Sequence, residues 1–525
     1  MLFNSYIFIF AFLPVTFVIY FLLARHINGE VAITFLVLAS LFFYGWWNPI
    51  YLVLMLFSIG VNYFIGENIV SLRFSEQLQK AKVLLTIGLI FNLGLLGYFK
   101  YATFIIENTN QIFGLNIQTS QIILPLAISF FTFQQIAYLI DTYKGITKEF
   151  KFTHYALFVT FFPQLIAGPI VHHKEMLPQF MCLNGMKPKL DNVIIGVNIF
   201  ALGLFKKVIL ADGVANYSTP VFDASLSGDP ISFFVAWGGA LAYTLQLYFD
   251  FSGYSDMAIG IARIFGIQLP INFFSPYKSR NIIEFWRRWH MTLSRFLRDY
   301  IYFTLGGNRK GNVRRYINLF ITMLLGGLWH GAGWTFLLWG GLHGGYLIIN
   351  HAWLFLKKQT KLEYLDKIYL WQFSCWLLTF VSIINGWVLF RAENIDSAVI
   401  ILKGMYGVNG IAVPNGIIAR LGGLSEILQA LGMKTYIGGG MDFIFTYLWG
   451  ISLLGIVLLM PNTQQIMQNF SRQENMEGNA IFDKGLLPSI LIFRFNIVWA
   501  IVLSAALIIA IFGLTRVSEF LYFQF

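Results

Sequence analysis

Long apolar runs separated by short polar connections dominate this chain. A run of about 20 apolar residues predicts a helix that crosses the hydrocarbon core of a membrane. We therefore predict an all-α polytopic membrane protein with roughly eleven transmembrane helices, two of the runs being partial spans. The predicted segments are 5–24, 31–47, 49–66, 83–99, 121–140, 192–210, 231–251, 316–330, 334–350, 371–390, 441–460 and 490–513.

A further apolar run, 155–170, is too short to cross a membrane and is interrupted by Pro163, Gly168 and Pro169. Irregular backbone at membrane depth persists only where protein or a water-filled cavity surrounds it. We therefore predict that this run is a re-entrant segment, which enters the membrane region and leaves it on the same side.

The composition agrees with this pattern. Hydrophobic residues make up 57% of the 525 residues and charged residues only 12%, and the mean hydropathy is +0.67. A soluble chain of this length could not bury so much apolar surface in one core. We expect a single membrane-embedded domain that covers residues 1–525.

Lys and Arg collect in some of the connections, and this predicts the orientation of the chain. Basic connections usually face the cytosol, whereas 102–120 and 216–230 contain no Lys or Arg. We predict that the N terminus and the long connection 391–440 lie outside. Lys206 and Lys207 fit less well, because they lie near the predicted outer end of their helix. The basic connections are 73–82, 144–151, 174–189, 278–315 and 357–361.

The connection 278–315 carries ten basic residues against two acidic ones. Within it, apolar side chains recur at helical spacing and arginines occupy the other side, which predicts an amphipathic helix in the membrane interface. Two interpretations stay open. The charges orient the protein and anchor it to lipid, or Arg287, Arg288 and Arg295 bind a phosphate-bearing donor from the cytosol. Nucleic acid is not an expected partner, because the charge borders a membrane span.

The main candidate for chemistry is His330, in the apolar string ITMLLGGLWHGAGWTFLLWGGLHGG. An ionisable side chain at membrane depth costs on the order of a few kcal/mol when charged, so it is usually retained for a function. Burial favours the neutral imidazole, whose lone pair is what a general base needs. The neighbouring glycines permit a helix break, so we predict that His330 lies where two half-helices meet. The spacing alone is equally compatible with a packed histidine.

Other polar residues also have two interpretations. His343 is more typical of close helix packing, and His172 and His173 of a solvent-exposed connection. Asp250 and Asp256 belong to a polar cluster that either caps a helix end or lines a donor channel. The spacing of histidines and cysteines resembles no metal site, and we predict none.

Several longer strings resemble the membrane-bound O-acyltransferase family. Together with the opening MLFNSYIFIFAFLP and the end LYFQF, the resemblance covers essentially the whole chain. It is strongest to the branch of the family that acetylates alginate and peptidoglycan. The strings are FWRRWHMTLSRFLRDYIYFTLGGNRKG at 285–311, LLGGLWHGAGWTFLLWGGLHG at 324–344, YFDFSGYSDMAIG at 248–260, FFPQLIAGPI at 161–170 and FKKVILAD at 205–212.

The resemblance implies helices around a central channel that admits an acyl donor from the cytosol and delivers the acyl group outward. It assigns the family's catalytic histidine to His330, and a second histidine, for catalysis or donor positioning, to His290. Trp329 in the same WHG string becomes a channel candidate. His330 then acts as a base or as a hydrogen-bond donor to an oxyanion, and a covalent acyl intermediate on another residue stays open.

The resemblance also implies the partners. The expected donor is acetyl-coenzyme A, with no tightly bound cofactor, and the expected acceptor is an extracytoplasmic polysaccharide of a bacterium. The expected location is the inner membrane, surrounded by lipid, with a periplasmic or extracellular partner of the SGNH serine-hydrolase-like fold. Two other functions stay open: an acetyl-group conduit without transferase chemistry, and a lipid O-acyltransferase.

Overall fold

The regular structure of the chain is almost entirely helical. In the described residues the exception is a pair of three-residue strands, Ala412–Pro414 (β1) and Lys434–Tyr436 (β2), which run parallel with Val413 opposite Thr435. The prediction of an all-α protein is thus confirmed. The structure is a computed structural model and describes residues 1–118, 122–147, 151–181, 187–430, 432–470 and 491–515.

The α-helices follow the chain in four groups. The first group is Leu13–His26 (α1), Gly29–Gly45 (α2), Ile50–Phe74 (α3), Leu78–Leu96 (α4), Ala102–Phe113 (α5) and Ile128–Lys144 (α6). The second is Phe152–Thr160 (α7), Phe162–Leu165 (α8), His173–Met181 (α9), Leu190–Phe205 (α10), Asp212–Leu226 (α11) and Phe233–Ile264 (α12). The third is Ile282–Arg288 (α13), Met291–Phe296 (α14), Gly311–His330 (α15), Trp334–Gln359 (α16), Tyr369–Arg391 (α17) and Ile395–Met405 (α18). The fourth is Asn415–Ile418 (α19), Leu424–Ala430 (α20), Gly440–Leu459 (α21), Thr463–Ile466 (α22) and Ile497–Gly513 (α23).

Wider, π-helical turns occur at four places in the described part of the chain. One of them joins α4 to α5 and another joins α10 to α11, so each pair forms one continuous helical segment. Such turns are rare and frequently lie at functional sites. The four turns are Phe8–Phe12, Gly97–Tyr101, Lys206–Ala211 and Leu297–Tyr302, and short 3₁₀ turns lie at Pro276–Lys278, Leu362–Lys367 and Gln468–Phe470.

Six of the described helical segments are long and apolar enough to cross a membrane. Together with two shorter apolar helices, Gly29–Gly45 and Ile497–Gly513, they make this a multi-pass membrane protein, as predicted. The six segments are Phe8–His26, Ile50–Phe74, Leu78–Phe113, Leu190–Leu226, Tyr369–Arg391 and Gly440–Leu459.

Several predicted helices end too early, and in two of them the predicted end lies at a π turn. The segment Leu78–Phe113 continues beyond the predicted end at 99, and Leu190–Leu226 continues beyond 210. Hydropathy falls in both places because polar residues appear, but the backbone continues through a π turn instead of leaving the helix. Lys206 and Lys207 consequently lie near the middle of a helical segment, and the prediction that they lie at its outer end is wrong.

The 32-residue helix α12 is buried over most of its length and packs against α10. Two pairs of glycines make this contact, Gly203 with Gly253 and Gly196 with Gly260. A methyl group on Gly203 would lie 2.6 Å from the carbonyl oxygen of Gly253, and one on Gly260 would lie 2.5 Å from that of Gly196. Small residues allow such close approach of helix backbones in membranes. The contact fixes α12, and with it the polar side chains that α12 brings into the interior.

The run 155–170 forms parts of α7 and α8, which are separated at Phe161 and lie inside the protein. Every residue of this run is buried. Side chains provide hydrogen-bond partners for its irregular backbone. The backbone N–H of Phe162 donates to Ser40 Oγ at 3.2 Å, and the side-chain amide of Gln164 donates to the Phe158 carbonyl oxygen at 2.6 Å. The short, broken and enclosed geometry is that expected of a segment that does not cross.

The basic region 278–315 does not form one interfacial helix, so that prediction is wrong. Its amphipathic part divides into α13, α14 and a π turn. The helix is interrupted at His290. The φ of this residue is +41°, in the left-handed region that an ordinary helix excludes. The apolar side chains of Trp289, Phe296 and Tyr300 are buried in the protein and not in lipid.

Candidate active site

His330 is the last residue of α15 and borders a cavity of about 40 Å3. Its ring is buried and packs edge-on against Trp339 and Phe390, with ring centroids 5.2 and 5.1 Å away. The remainder of the cavity is lined by Lys100, residues 124–130, Ile166 and Trp329. The histidine therefore lies where a small acyl group or hydroxyl group could reach it.

The helix ends at His330 because the following residues are extended. Gly331 has φ and ψ of −159° and 150°, and α16 begins three residues later. Gly340 of α16 lies against α15, so that a methyl group there would be 2.5 Å from the Met323 carbonyl oxygen. The predicted helix break at His330 is confirmed, but α15 and α16, with 20 and 26 residues, are full-length helices and not half-helices.

Lys100 holds the end of this helix. Its Nζ donates hydrogen bonds to the carbonyl oxygens of Trp329, at 2.5 Å, and His330, at 2.9 Å. The neighbouring Tyr101 hydroxyl donates to the Leu328 carbonyl oxygen at 2.7 Å. Lys100 was not identified from the sequence, because its role depends on contacts with residues more than 200 positions away.

His290 lies between α13 and α14 and is also buried. Its Nδ1 is 3.0 Å from Asn272 Oδ1. The same oxygen accepts hydrogen bonds from the backbone N–H of Thr292, at 3.3 Å, and from the Thr292 hydroxyl, at 2.9 Å. Because a backbone N–H can only donate, the Asn272 atom is an oxygen and His290 Nδ1 carries its proton. In the neutral ring the lone pair is then on Nε2. Asn272 was not identified from the sequence.

Trp329 is a neighbour of both histidines. Its ring centroid lies 6.2 Å from that of His290 and 4.9 Å from that of His330. The structure thus brings together three residues that come from two separate strings of the sequence, 285–311 and 324–344. Their chemical roles stay predictions.

Asp250 and Asp256 lie within α12, not at its end, because the helix continues to Ile264. The interpretation of this cluster as a helix cap is therefore wrong. Asp250 Oδ1 is 2.5 Å from the Nζ of Lys207, and Asp256 Oδ2 is 2.6 Å from that of Lys206. Neither carboxylate lines the cavity at His330, so a role in binding the donor stays an untested prediction.

Arg287 and Arg288 line a surface groove between α13 and α16, with a volume of about 390 Å3. Arg288 is paired with Glu284 at 2.7 Å. Arg295 lies outside this groove, where Glu175 holds it through two hydrogen bonds of 2.6 and 3.0 Å. The groove is lined by Asn281, Ile283, Glu284, Arg287, Arg288, His351 and Leu354.

Aromatic side chains connect this groove with the cavity. The ring of Trp286, on α13, contacts those of Trp339 and His343, at 5.7 and 5.2 Å, and Trp339 in turn contacts His330. One aromatic cluster therefore extends from α13, which also borders the groove, to the ring of His330 at the cavity. His343 is fully buried inside it, in agreement with its interpretation as a packing residue.

The prediction that His172 and His173 are solvent-exposed is wrong. Both are buried, and burial lowers the pKa of His172 to about 4 and that of His173 to about 3. His172 Nδ1 lies 3.2 Å from the Tyr300 hydroxyl, which donates to Asp141 at 2.9 Å. Their position in a basic connection suggested exposure, but the connection folds back against α6.

Comparisons with known proteins extend over the whole chain. Residues 146–390 match the model of the MBOAT, membrane-bound O-acyltransferase family. The chain is 48% identical to a peptidoglycan O-acetyltransferase of Helicobacter pylori, over 79% of this chain and 81% of that protein. It is 36% identical to a probable alginate O-acetylase of Pseudomonas putida, over 100% of both chains. A similarity of 34% identity to a teichoic acid D-alanyltransferase of Streptococcus thermophilus covers 44% of this chain and 58% of that protein.

Proposed function

Because the chain belongs to the membrane-bound O-acyltransferase family, we propose that it moves an acetyl group from cytosolic acetyl-coenzyme A to a hydroxyl of an extracytoplasmic polysaccharide. The acceptor is of the alginate or peptidoglycan kind, as the names of the relatives suggest. The observation that carries the proposal is the position of His330, at a helix end beside a small cavity and in ring contact with Trp329 and Trp339.

The distance between the basic region and His330 supports transfer across the membrane. With a rise of 1.5 Å per residue, α15 places His330 about 28 Å from its first residue, Gly311, which directly follows Arg309 and Lys310. That length is close to the thickness of the hydrocarbon core, about 30 Å. If the basic end faces the cytosol, the donor binds on one side and the reacting group lies near the other.

The chemistry moves one proton in two transfers. The acceptor oxygen bonds to the thioester carbonyl carbon, and the carbon–sulfur bond of acetyl-coenzyme A breaks. His330 takes the hydroxyl proton as the oxygen attacks and returns it to the departing thiolate, so that an ester and coenzyme A leave. His290 presents a second imidazole to the same region. Asn272 holds its Nδ1–H at 3.0 Å, so the lone pair of the neutral ring is on Nε2.

The groove between α13 and α16 is the site that we propose for the phosphates of the donor. Arg287 is the guanidinium available for a ligand, since Arg288 is paired with Glu284 and no ion pair of Arg287 occurs among the described residues. Arg315 extends the positive charge, because it lies 3.1 Å from His351 in the groove. Guanidinium groups bind phosphate in a two-pronged geometry.

Replacement of Arg287 by Gln is expected to raise the KM for acetyl-coenzyme A about tenfold without changing kcat. A hydrogen bond to a charged group contributes about 1.5–3 kcal/mol, which corresponds to at least about tenfold in affinity. Steady-state release of coenzyme A by the purified protein measures both constants. The matched control is Arg298→Gln, since Arg298 lies outside the groove and pairs with Asp299 at 2.8 Å. Equal constants for the two variants would contradict the assignment of the groove.

A partner enzyme on the outer side completes the transfer when the acceptor is a polymer. The family resemblance suggests that the partner has an SGNH serine-hydrolase-like fold. In this scheme the membrane protein loads a hydroxyl of the partner, which then esterifies the polymer.

The function as a whole can be tested in liposomes that contain the purified protein, with acetyl-coenzyme A labelled in its acetyl group on one side. The expected result is release of free coenzyme A and label on an oligosaccharide, or on the partner, at the other side. Label in phospholipid would indicate a lipid acyltransferase instead. Passage of acetate or acetyl-coenzyme A without thioester cleavage would indicate a conduit and overturn the proposal.

A further inference from the structure

Lys100 is an unexpected residue at this site. It lies in the π turn Gly97–Tyr101, within an apolar segment that is long enough to cross a membrane. A lysine at such a depth is costly unless it is paired or has a function. Lys100 has contacts to the helix that ends at His330 and to Ser129 Oγ at 3.5 Å.

From these contacts we infer that Lys100 is a positioning residue for acyl transfer, which holds His330 in place through the backbone. It bonds to the carbonyl oxygens of Trp329 and His330, the last two residues of α15. The carbonyl oxygens at a helix C-terminus have no partner within the helix. The inference rests on the proposed function, since it assigns Lys100 to the reaction at His330.

These hydrogen bonds matter because the carbonyl groups lie at the C-terminal end of α15. The C-terminal end of a helix carries a partial negative charge, which a cation stabilises. After His330 the chain is extended, so no further helical turn holds the imidazole in place. The lysine replaces that missing turn and determines where the side chains of Trp329 and His330 enter the cavity.

The π turn explains how a lysine reaches this position. The wider turn displaces the backbone of Gly97–Tyr101 relative to a regular helix, and two consecutive side chains, Lys100 and Tyr101, bond to three consecutive carbonyl groups. Trp329 gains a second contact, because Lys100 Nζ lies 6.0 Å from the centroid of its ring. Lys100 and Tyr101 together thus hold the backbone of residues 328–330 in place.

Replacement of Lys100 by Met is expected to lower kcat for acetyl transfer about 100-fold, with the KM for acetyl-coenzyme A unchanged. A displacement of about 1 Å at a reacting group costs on the order of 10²-fold in rate. Lys100→Arg, which keeps the charge and the donors, is expected to retain at least about a tenth of the kcat. The matched control is Lys82→Met, because Lys82 is an exposed lysine of the same helical segment.

The measurements are kcat and KM of the purified variants, normalised to the amount of folded protein. A purely structural role would lower the folded amount and leave kcat unchanged, and this result would overturn the inference. So would a Lys100→Arg variant that is as impaired as Lys100→Met. If Lys100→Met does not insert, Lys100→Gln against Lys100→Arg makes the same comparison. Absence of acetyl transfer by the unaltered protein would instead refute the proposed function.

Discussion

Replacement of His330 by Ala is expected to lower the rate of acetyl transfer by about 10²–10⁴-fold, the contribution typical of a positioned general base. The protein is expected to insert and accumulate normally. The ring of His330 has aromatic neighbours, Trp339 and Phe390, and in the described residues its side chain donates or accepts no hydrogen bond. Removal of the ring therefore leaves no buried polar partner unsatisfied.

The measurement is release of coenzyme A per folded protein, with membrane abundance determined by blotting. His343→Ala is the matched control, because His343 is buried in the same aromatic cluster and contacts Trp339 at 4.9 Å but does not line the cavity. It is expected to reduce stability and to keep its turnover. A His330→Ala protein with normal turnover would exclude His330 from the chemistry.

The largest effect on stability is expected for Lys207→Met, at about 3–5 kcal/mol, the usual cost of removing one partner of a buried ion pair. Lys207 Nζ lies 2.8 Å from Asp212 and 2.5 Å from Asp250, and all three side chains are buried. Without the lysine, two carboxylates remain in an apolar interior. A protein that does not accumulate, or one with a strongly lowered unfolding temperature, is the expected outcome.

Thermal unfolding in detergent measures this effect, with Lys82→Met as the exposed control. The alternative role of Asp250, binding of the donor, makes a different prediction. It requires that Asp250→Asn raises the KM for acetyl-coenzyme A while the unfolding temperature stays near that of the unaltered protein. A Lys207→Met protein as stable as the control would show that the ion pair contributes little.

Most of the helices could be predicted because long apolar runs have few alternatives to a membrane-spanning helix. The errors occur where the polarity of the side chains and the conformation of the backbone do not change at the same residue. At 102–113 and 212–226 the side chains become polar while the helix continues, because a π turn and not a loop follows the apolar run. At His290 the opposite occurs, since the helical spacing continues while the backbone breaks.

The site was predicted in part. His290, Trp329 and His330 could be selected because they stand out from apolar surroundings or belong to family strings. Asn272 and Lys100 could not, since their roles depend on tertiary contacts. Lys100 is 229 positions from Trp329 in the sequence, and Asn272 is 18 positions from the histidine that it orients. An amide in a loop and a lysine after an apolar run carry no signal of such partners.

The π turn at Gly97–Tyr101 also changes the phase of its helix. An α-helix advances by about 100° per residue, so an extra residue in one turn rotates everything beyond it by about that angle. The rotated part, α5, contacts the start of α16, because Trp334 Nε1 donates to Asn108 at 2.8 Å and its ring lies 5.8 Å from that of Phe104. One membrane segment thus presents two faces in different directions. The part before the turn, α4, packs against α3 and α6, and the part after it, α5, packs against the start of α16.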